Sequence, residues 1–599
     1  MNGFTSRWIY RLPGGDASAG PVRAADARLV DRVLAARGID PAAPDAAAFL
    51  DPRLNHLHDP SLIPGVDRAA ARLLEALRAG ETIAIYGDYD VDGITATAIL
   101  YHMMLALEPG AAGRIMTYVP HRLEEGYGLN AEAMGELAGR GAKVIVSVDC
   151  GVTAFAPAQR ARAEGVDLII TDHHNPPMEG EGLPDAYAVV HPRAPGSAYP
   201  FADLCGAGVA CKLAWRMATM HERSAKLTPA LRALLVDLLA FAALGTIADV
   251  VPLVGENRVI ARFGLVRVGD SPFGGLRALV EASRLDGGRI DAMDVGFRIA
   301  PRLNAAGRMG HAKDAVELFT TASDERAAQI ARELTVQNDE RRRVEKRIFD
   351  QACEMAEAAG MTGPDRRAVV LAHDDWHPGV VGIVCSKVVE RYSRPAILMQ
   401  RKEGLCSGSG RSIEGFNLHA GLTACGPMLE RFGGHDMAAG LHLVEAKLHA
   451  FTEAFTAHAN SLIREEMLCP LVKIDCDAAL EELTPQAVRD LDLLEPFGRD
   501  NPRVVLAVRG VRLIERKTFG MGARHLSVAL RAADSRGGSG GWANGGGVVR
   551  AIAWNRADLV PRLAPGSLLD VAVRPALSHY GGRTTVEPQI EDIRLHEEE

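Results

Sequence analysis

The sequence predicts an α/β protein. A mostly parallel-sheet domain is followed by a long connecting helix, a second α/β domain and a C-terminal β-barrel. Strand and helix patterns alternate over residues 66–250, which is typical of a parallel sheet. Residues 324–359 contain no Gly or Pro and carry an apolar stripe at helical spacing. Residues 470–596 contain short alternating apolar runs, as small barrels do.

The chain of 599 residues is too long for a single hydrophobic core. We expect an N-terminal extension at 1–65 and the parallel-sheet domain at 66–322. The long helix, at 323–360, then leads to the second α/β domain at 361–465. The barrel takes the remainder, 466–599.

Composition narrows the class of protein. With 47% hydrophobic and 24% charged residues, the chain is globular rather than disordered. Its nine Cys residues form no CxxC pair, which argues against a disulfide framework and favours a cytoplasmic location. The most apolar stretch, 234–254, contains Asp237 and Asp249, so we expect a buried helix and no membrane association. The net charge of −9 alone argues against a nucleic-acid partner, unless local basic surfaces offset it.

Acidic side chains directly follow three of the predicted strands. The apolar runs at 83–86, 144–148 and 168–170 lead into DYDVDG (88–93), VDCG (148–151) and DHH (172–174). Open parallel sheets bind ligands at the carboxyl ends of their strands. We therefore expect these carboxylates and imidazoles to meet at one edge of the sheet, where they predict a metal site.

In an extended segment Asp88, Asp90 and Asp92 would share one face. Neighbouring carboxylates about 7 Å apart repel by roughly 2 kcal/mol at an effective dielectric constant near 20, so the arrangement calls for a cation. A helix is expected from Thr95 onward. One alternative is an EF-hand loop, but its twelfth position is Ile99 rather than Glu and a strand precedes it. A solvated acidic turn is the other alternative.

Further candidate ligands follow along the chain. Asp149 is either a ligand or a helix cap. Of the adjacent His173 and His174, one can bind metal while the other faces substrate, and Asp172 could orient an imidazole; a pair of surface histidines is the alternative. Asp249 closes an apolar helix, as a ligand or as a buried paired carboxylate.

These residues supply more ligands than one catalytic cation needs. Two metal ions bridged by one carboxylate fit better and imply hydrolysis of phosphoesters or phosphoanhydrides. Mixed imidazole and carboxylate ligands suit Mn²⁺, whereas Mg²⁺ prefers oxygen alone. The sequence contains no P-loop, HExxH or GxSxG motif.

The motifs resemble those of the DHH phosphoesterase superfamily. Within that superfamily, they are most similar to the bacterial exonucleases that degrade single-stranded DNA from the 5′ end. The resemblance runs from about residue 70 to the C-terminus and includes the Asp of TIAD (246–249). Five further stretches match in order: PHRLEEGYGL (120–129), RLNAAGRM (302–309), WHPGVVGIV (376–384), GSGRS (408–412) and GGHDMAAG (433–440). The resemblance implies a DHH domain, a DHH-associated domain and an OB-fold.

The resemblance also implies roles for individual residues. Two Mn²⁺ or Mg²⁺ ions would be held by Asp88, Asp90, Asp92, Asp149, His173 and Asp249. Asp149 would bridge them, and His174 would contact the scissile phosphate beside Asp172. Backbone phosphates, including that of the 5′ end, would be held by Arg122, Arg308, Ser409 and Arg411. Apart from the resemblance, the Gly-Gly-His sequence at 433–435 predicts that His435 faces the ligand, with a tight turn as the alternative. Any single Arg could instead form a surface ion pair.

The barrel resembles an OB-fold, which binds single strands through a basic groove and stacking aromatics. Between 501 and 531 the only acid is Glu515, against seven basic residues: Arg503, Arg509, Arg512, Arg516, Lys517, Arg524 and Arg531. Because aromatic residues are sparse (Phe519, Trp554, Tyr580), we expect this surface to bind phosphates more than bases. The alternative is a solvated basic face without a ligand. The Gly-rich stretch 536–547 predicts a flexible loop.

The sequence thus predicts a monomeric, processive 5′→3′ exonuclease that releases 5′-mononucleotides from single-stranded DNA during DNA repair and recombination. Single-strand-binding protein and a RecQ-type helicase are the expected protein partners. A cleft too narrow for duplex would explain strand selectivity. One rival is a smaller-substrate DHH enzyme, such as an oligoribonuclease, a cyclic-dinucleotide phosphodiesterase or a pyrophosphatase, which would not need the basic barrel. The other is a scaffold that has lost its metal site, against which the intact carboxylates argue.

Overall fold

The computed structural model describes residues 3–11, 27–121, 125–126, 128–178, 180–533, 547–580 and 582–597. The chain forms two compact units. The parallel-sheet unit consists of Asp51–Arg341 with Glu495–Pro502, and the barrel unit consists of Met1–Leu50, Arg342–Leu494 and Arg503–Glu599.

The residues predicted as an N-terminal extension pack within the barrel unit as far as Leu50. They form β1 (Arg7–Tyr10), α1 (Leu29–Ala36) and α2 (Pro44–Leu50). Trp8 of β1 is buried and donates its indole N–H to Asp592 over 3.0 Å. The segment is therefore part of a core rather than a free extension.

The parallel-sheet unit is built on five strands, all of whose pairings are parallel, in the order β3–β2–β4–β5–β6. The strands are β2 (Thr82–Gly87), β3 (Ile115–Tyr118), β4 (Ala142–Val148), β5 (Asp167–Thr171) and β6 (Ala188–Val190). Those at the centre are buried on both faces, which explains their continuous apolar runs. The parallel sheet predicted from sequence is confirmed.

Helices cover this sheet and extend the unit. They are α3 (Val66–Ala79), α4 (Val91–Leu107), α5 (Ala131–Gly139), α6 (Phe155–Ala163), α7 (Gly206–Glu222), α8 (Pro229–Ala248), α9 (Gly255–Gly269), α10 (Gly274–Ala282), α11 (Ala292–Asp294), α12 (Ala300–Met309) and α13 (Lys313–Phe319). In the described part of the chain, α8 is the one helix long and apolar enough to cross a membrane. It packs against α4, α7 and α9 with Leu238–Thr246 buried, as a core helix does.

The long helix predicted at 324–359 is α14 (Asp324–Ala358). Four residues of its apolar stripe are fully buried: Ile330, Leu334, Ile348 and Ala352. The division between the two compact units falls within this helix, after Arg341.

The barrel unit contains a second, mixed sheet in the order β10–β11–β9–β8–β7. Its strands are β7 (Val369–His373), β8 (Ala396–Lys402), β9 (Leu405–Arg411), β10 (Arg431–Gly434) and β11 (Ala438–Val444), with helices α15 (Pro378–Tyr392), α16 (Leu418–Ala424) and α17 (Leu448–Leu462). Only β7 and β8 pair in parallel among the described strands of this sheet.

The C-terminal strands close into a barrel, as predicted. The ring runs β14–β15–β16–β20–β17 and returns to β14, while β13 pairs in parallel with β14 and β12 with β1. The elements are β12 (Leu471–Ile474), β13 (Cys476–Ala478), α18 (Pro485–Asp492), β14 (Leu506–Phe519), β15 (His525–Ala532), β16 (Val548–Ala553), β17 (Leu568–Arg574), β18 (Leu577–Tyr580), β19 (Arg583–Val586) and β20 (Gln589–Leu595). The predicted Gly-rich loop at 536–547 lies outside the described residues except for Gly547.

Candidate metal and phosphate site

Three neighbouring strands of the parallel sheet end at the same level. The register aligns Gly87 of β2 with Val148 of β4, and Val148 with Thr171 of β5. The next residues along the three strands are Asp88, Asp149 and Asp172. The sheet therefore presents the three predicted acidic motifs at one edge.

Asp88, Asp90 and Asp92 do not lie on an extended segment, so our reasoning from alternation was wrong. The helix expected from Thr95 is α4, and it begins four residues earlier because Asp90 caps it: the Asp90 carboxylate accepts from Asp92 N at 2.9 Å and Gly93 N at 3.2 Å. The turn back onto the strand end is tight, since a Cβ on Gly93 would lie 2.5 Å from Asp88 N. The carboxylates instead reach the site from a strand end, a cap and a first helical turn.

A second helix N-terminus fixes Asp92, which is buried. Backbone N–H groups of Gly206 and Ala207, at the start of α7, donate to its two oxygens over 2.6 and 2.8 Å. Gly206 also lies against Asp149, where a Cβ would come 2.5 Å from the Asp149 Cβ. Sequence reasoning missed both residues, whose signal was the Cys-Gly-Ala-Gly run that begins a helix.

The ligand candidates form three overlapping groups of three, and the group of Asp149, His173 and His174 shares one residue with each of the other two. The carboxylate oxygens of Asp88, Asp90 and Asp149 lie within 4.8 Å of one another. Asp92, His173 and Asp249 form a second group within the same limit. Asp149 and His173 join the groups, because Asp149 Oδ1 is 3.1 Å from His173 Nε2. The arrangement offers two adjacent positions for cations with Asp149 between them.

The chemistry of these atoms fits a divalent cation. Within the described part of the chain, Asp149 Oδ1 and His173 Nε2 are buried and have no hydrogen-bond partner. Asp149 also adopts φ 64°, a left-handed conformation that costs energy outside glycine and is often found at functional sites. Buried lone pairs without donors are costly unless a ligand satisfies them.

The protonation states of these carboxylates and of His173 also favour a bound cation. Burial, and then the neighbouring carboxylates, raise the pKa of Asp149 well above its usual range and that of Asp249 to about 8. Burial lowers the pKa of His173 to about 4, against the pull of Asp92, so this imidazole is neutral at pH 7. Crowded carboxylates that resist ionisation and a neutral imidazole are a set that a cation would stabilise.

Asp172 orients His174 rather than facing the acidic groups. Its Oδ1 accepts from His173 N at 2.7 Å and from His174 Nδ1 at 2.8 Å, and its Oδ2 accepts from Val152 N at 2.8 Å. Although burial opposes ionisation, these bonds lower the pKa of Asp172 to about 2. The same pair raises the pKa of His174 to about 9 against its own burial, so His174 is a cation at pH 7.

The neighbouring strand β6 supports both histidines, and sequence reasoning missed it. His191, directly after β6, places Nε2 2.8 Å from the carbonyl oxygen of His174. The Arg193 guanidinium donates to the carbonyl oxygen of His173. The signal was present, because His-Pro-Arg follows an apolar run just as the other motifs do.

Helix α12 carries the predicted phosphate ligand Arg308 and packs on the metal-motif turn. Asn304 Oδ1 accepts from Val91 N at 3.3 Å. A Cβ on Gly307 would lie 3.0 Å from the carbonyl oxygen of Tyr89, so helix and turn are in close contact. Arg308 follows directly in the chain. Arg122, the other arginine predicted in this unit, lies outside the described residues.

The remaining predicted substrate ligands belong to the barrel unit. Ser409 and Arg411 lie on β9, and both side chains face Gly382 of α15, where a Cβ would come 3.3 Å from each. The hairpin formed by β10 and β11 pairs beside them, with Gly440 opposite Ser409 and Ala438 opposite Arg411. His435 is exposed in the turn of that hairpin. Three separate motifs thus meet on one sheet.

The barrel surface is less uniformly basic than the sequence predicts. Arg509 forms an ion pair with the Asp477 carboxylate and donates a hydrogen bond to the Tyr10 hydroxyl. Arg512, Lys517 and Arg524 are exposed.

Beside them Phe519, His525 and Trp554 form a ring cluster with centroids 4.9–5.8 Å apart, and Trp554 is 49% exposed. The described surface therefore offers stacking as well as charge. The Tyr580 side chain is outside the described residues.

Comparisons with known proteins agree with this architecture. Three family models match: the DHH family N-terminal domain (82–243), the DHHA1 domain (365–461) and the RecJ OB domain (474–592). The single-stranded-DNA-specific exonuclease RecJ of Bacillus subtilis (strain 168) is 36% identical over 571 residues, 95% of this chain and 68% of that protein.

Two solved structures are similar as well. The crystal structure of RecJ in complex with Mn²⁺ from Thermus thermophilus matches with a TM-score of 0.76 and 33% identity, covering 99% of this chain and 80% of that one. The complex with Mg²⁺ from the same organism has a TM-score of 0.71 and 32% identity, covering 99% and 79%.

Proposed function

The chain belongs to the RecJ family, and on that basis we propose that it is a metal-dependent exonuclease that degrades single-stranded DNA from the 5′ end and releases 5′-mononucleotides. The observation that carries the proposal is the pair of three-residue ligand groups joined through Asp149 and His173. Three protein ligands in each group would leave the other positions of a six-coordinate ion open for water and substrate.

In this proposal Asp88, Asp90 and Asp149 hold one Mn²⁺ or Mg²⁺, and Asp92, His173 and Asp249 hold the other. When bound, such an ion pair activates water and neutralises charge that develops on the phosphate. Asp149 would be a ligand shared by the two ions, because it belongs to one group and adjoins the other. The backbone donors of Gly206 and Ala207 orient Asp92 and keep its carboxylate from turning away.

His174 is proposed to bind the scissile phosphate. Asp172 accepts from its Nδ1 and holds the ring as a cation, and a charged imidazole is a strong hydrogen-bond donor to phosphate oxygens. The two adjacent histidines thus have different proposed roles because their surroundings differ. His173 stays neutral and can bind a metal ion, whereas His174 stays charged and can bind the substrate phosphate.

Three sets of residues are proposed to bind phosphates of the substrate. Arg308 and Arg122 are the candidates in the parallel-sheet unit, and Ser409, Arg411 and His435 are candidates in the barrel unit. The exposed Arg512, Lys517 and Arg524 and the Trp554 ring are proposed to bind further nucleotides of a long strand. A smaller-substrate enzyme would gain nothing from that barrel surface.

We infer the cellular setting from the family. The protein acts as a monomer in the cytoplasm, in DNA repair and recombination, with single-strand-binding protein and a RecQ-type helicase as partners. The helicase would supply single strands and the binding protein would cover them.

Digestion of 5′-labelled single-stranded DNA, blunt duplex and RNA in Mn²⁺ tests the activity. The wild type should release labelled mononucleotide from the single strand and leave the duplex intact. Asp149→Asn should abolish release, whereas Asp237→Asn, a carboxylate on α8 that pairs with Arg267, should not. Duplex digestion at the same rate, or full activity of Asp149→Asn, would refute the proposal.

A further inference from the structure

A short segment that precedes β14 returns to the metal-site unit. Glu495–Pro502 belongs to the parallel-sheet unit, although its neighbours on both sides along the chain, Leu494 and Arg503, belong to the barrel unit. It reaches the residues that follow Asp249 at the end of α8. Neither the motifs nor the proposed function gives this segment a role.

Hydrogen bonds and an ion pair fasten the segment at its first residue and at its middle. Buried Arg258 donates from Nη2 to the carbonyl oxygen of Glu495 over 2.9 Å, and Arg289 pairs with the Glu495 carboxylate at 2.6 Å. Leu253 N donates to the carbonyl oxygen of Arg499 over 2.9 Å. The backbone of Arg499 is therefore held to the rest of the parallel-sheet unit.

The segment is also rigid within itself. Gly498 and Asn501 exchange backbone hydrogen bonds at 2.8 and 3.3 Å, and the buried Asn501 amide donates to the carbonyl oxygen of Pro496 over 2.9 Å. A Cβ on Gly498 would lie 2.6 Å from Leu253 Cδ1, so the tight turn packs directly on the chain after Asp249.

The side chain of Arg499, by contrast, is exposed. Its Nη1 lies 3.4 Å from the carbonyl oxygen of Val250, the residue directly after Asp249. Val250 holds φ 58°, a rare conformation for a β-branched residue, next to the proposed metal ligand. The guanidinium charge is close enough to Asp249 to lower that carboxyl's pKa, after the larger effects of burial and of Asp92 and Asp90 that raise it.

We propose that Arg499 is a substrate-binding residue that donates to a phosphate of the single-stranded DNA at the Asp249 edge of the metal site. A cation placed there repels divalent ions, so it does not serve metal binding. The anion that the proposed function brings to this edge is a phosphodiester, which a guanidinium binds through two parallel N–H donors. The inference rests on the proposed function and adds a residue outside the recognised motifs.

The test compares Arg499→Gln and Arg499→Lys with Arg267→Gln, which removes a half-buried positive charge, paired with Asp237, elsewhere in the same unit. KM and kcat are measured on 5′-phosphorylated single-stranded DNA in Mn²⁺ at several salt concentrations. Mn²⁺ binding without DNA is followed by electron paramagnetic resonance. DNA binding is followed separately by fluorescence anisotropy.

Arg499→Gln should raise KM about tenfold and reduce the slope of log affinity against log salt by about 0.7, the value of one single-strand phosphate contact. Arg499→Lys should keep the slope and lose part of the affinity, because ammonium lacks the planar fork. Mn²⁺ binding should stay the same or tighten, and Arg267→Gln should match the wild type.

An unchanged KM and salt slope in Arg499→Gln would overturn the inference. So would weaker Mn²⁺ binding with unchanged DNA affinity, since the segment would then only position Asp249. A wild type that binds Mn²⁺ but neither binds nor degrades single-stranded DNA would refute the proposed function, and the inference with it.

Discussion

Replacing Asp149 by Asn should stabilise the cation-free protein and abolish its stabilisation by Mn²⁺. Asp149 is buried among the oxygens of Asp88 and Asp90, and it adjoins His173. Asn has the same shape and tolerates the left-handed φ of 64° at this position, so the change removes charge with little backbone strain. The two effects on stability have opposite signs, which separates them from a general loss of packing.

The magnitude follows from the spacing of the charges. Two unit charges at the 4.8 Å limit that encloses Asp149, Asp88 and Asp90 repel by about 3.5 kcal/mol at an effective dielectric constant of about 20. Proton uptake relieves part of this, so the substitution should raise the free energy of unfolding by about 1–3 kcal/mol, or Tm by roughly 2–6 °C. The wild type should gain about 2.7 kcal/mol when Mn²⁺ is present at about 100 times its Kd.

The sign of the pH dependence follows from the raised pKa of Asp149. The folded state binds this proton more tightly than the unfolded state does. Its contribution to stability is therefore complete below the unfolded pKa and is lost as pH rises through the folded pKa. The gain from Asp149→Asn should be larger at pH 8 than at pH 6.

Thermal unfolding in EDTA and in Mn²⁺, followed by circular dichroism, measures both effects. Asp237→Asn is the control, because that carboxylate lies outside the ligand groups and pairs with Arg267. A lower Tm of Asp149→Asn in EDTA would contradict the reasoning, as would an undiminished gain from Mn²⁺.

Three other outcomes are expected. Mn²⁺ affinity should rise as the pH rises through about 8, because Asp249 then loses its proton. Calorimetry should show that Mn²⁺ binding releases protons to the buffer; a binding heat that does not depend on the buffer's ionisation enthalpy would contradict this prediction. Asp172→Asn removes the partner that raises the pKa of His174 to about 9, so kcat/KM should fall more at pH 8 than at pH 6; a pH profile of unchanged shape would disprove the role of the pair. Trp554→Ala should weaken binding of long single strands by about 1–3 kcal/mol while hydrolysis of a dinucleotide stays constant; equal losses on both substrates would show that the ring does not stack on bases.

The sheet and the meeting of its acidic motifs could be predicted because buried parallel strands have continuous apolar sequences. Strand order then brings the residues after β2, β4 and β5 to one level without further information. The long helix was predictable for a similar reason, since its stripe is uninterrupted by Gly or Pro.

The predicted alignment of Asp88, Asp90 and Asp92 on one extended face was wrong because helix capping replaces the extended conformation there. An Asp at the start of a helix is drawn to the free backbone N–H groups there, and this capping ended the extended segment before alternation could align the carboxylates. The helix expected from Thr95 begins at Val91, so Asp92 belongs to its first turn.

Other residues near the site could not be predicted from spacing, because only tertiary contacts bring them there. Gly206 matters because it touches Asp149, which lies 57 residues earlier in the chain. Arg499 is 249 residues from Val250, whose carbonyl oxygen it contacts, and the segment that carries it belongs to the parallel-sheet unit although its neighbours along the chain belong to the barrel unit. His191 and Arg193 had a clearer sequence signal, as polar residues after a fourth strand.

The central claim is that the carboxylates at the edge of the sheet hold two cations. Anomalous diffraction from a crystal soaked in Mn²⁺ measures this directly. Two peaks are expected, one among Asp88, Asp90 and Asp149 and one among Asp92, His173 and Asp249. No peak at that edge, with these side chains turned to solvent or to other protein groups, would contradict the claim.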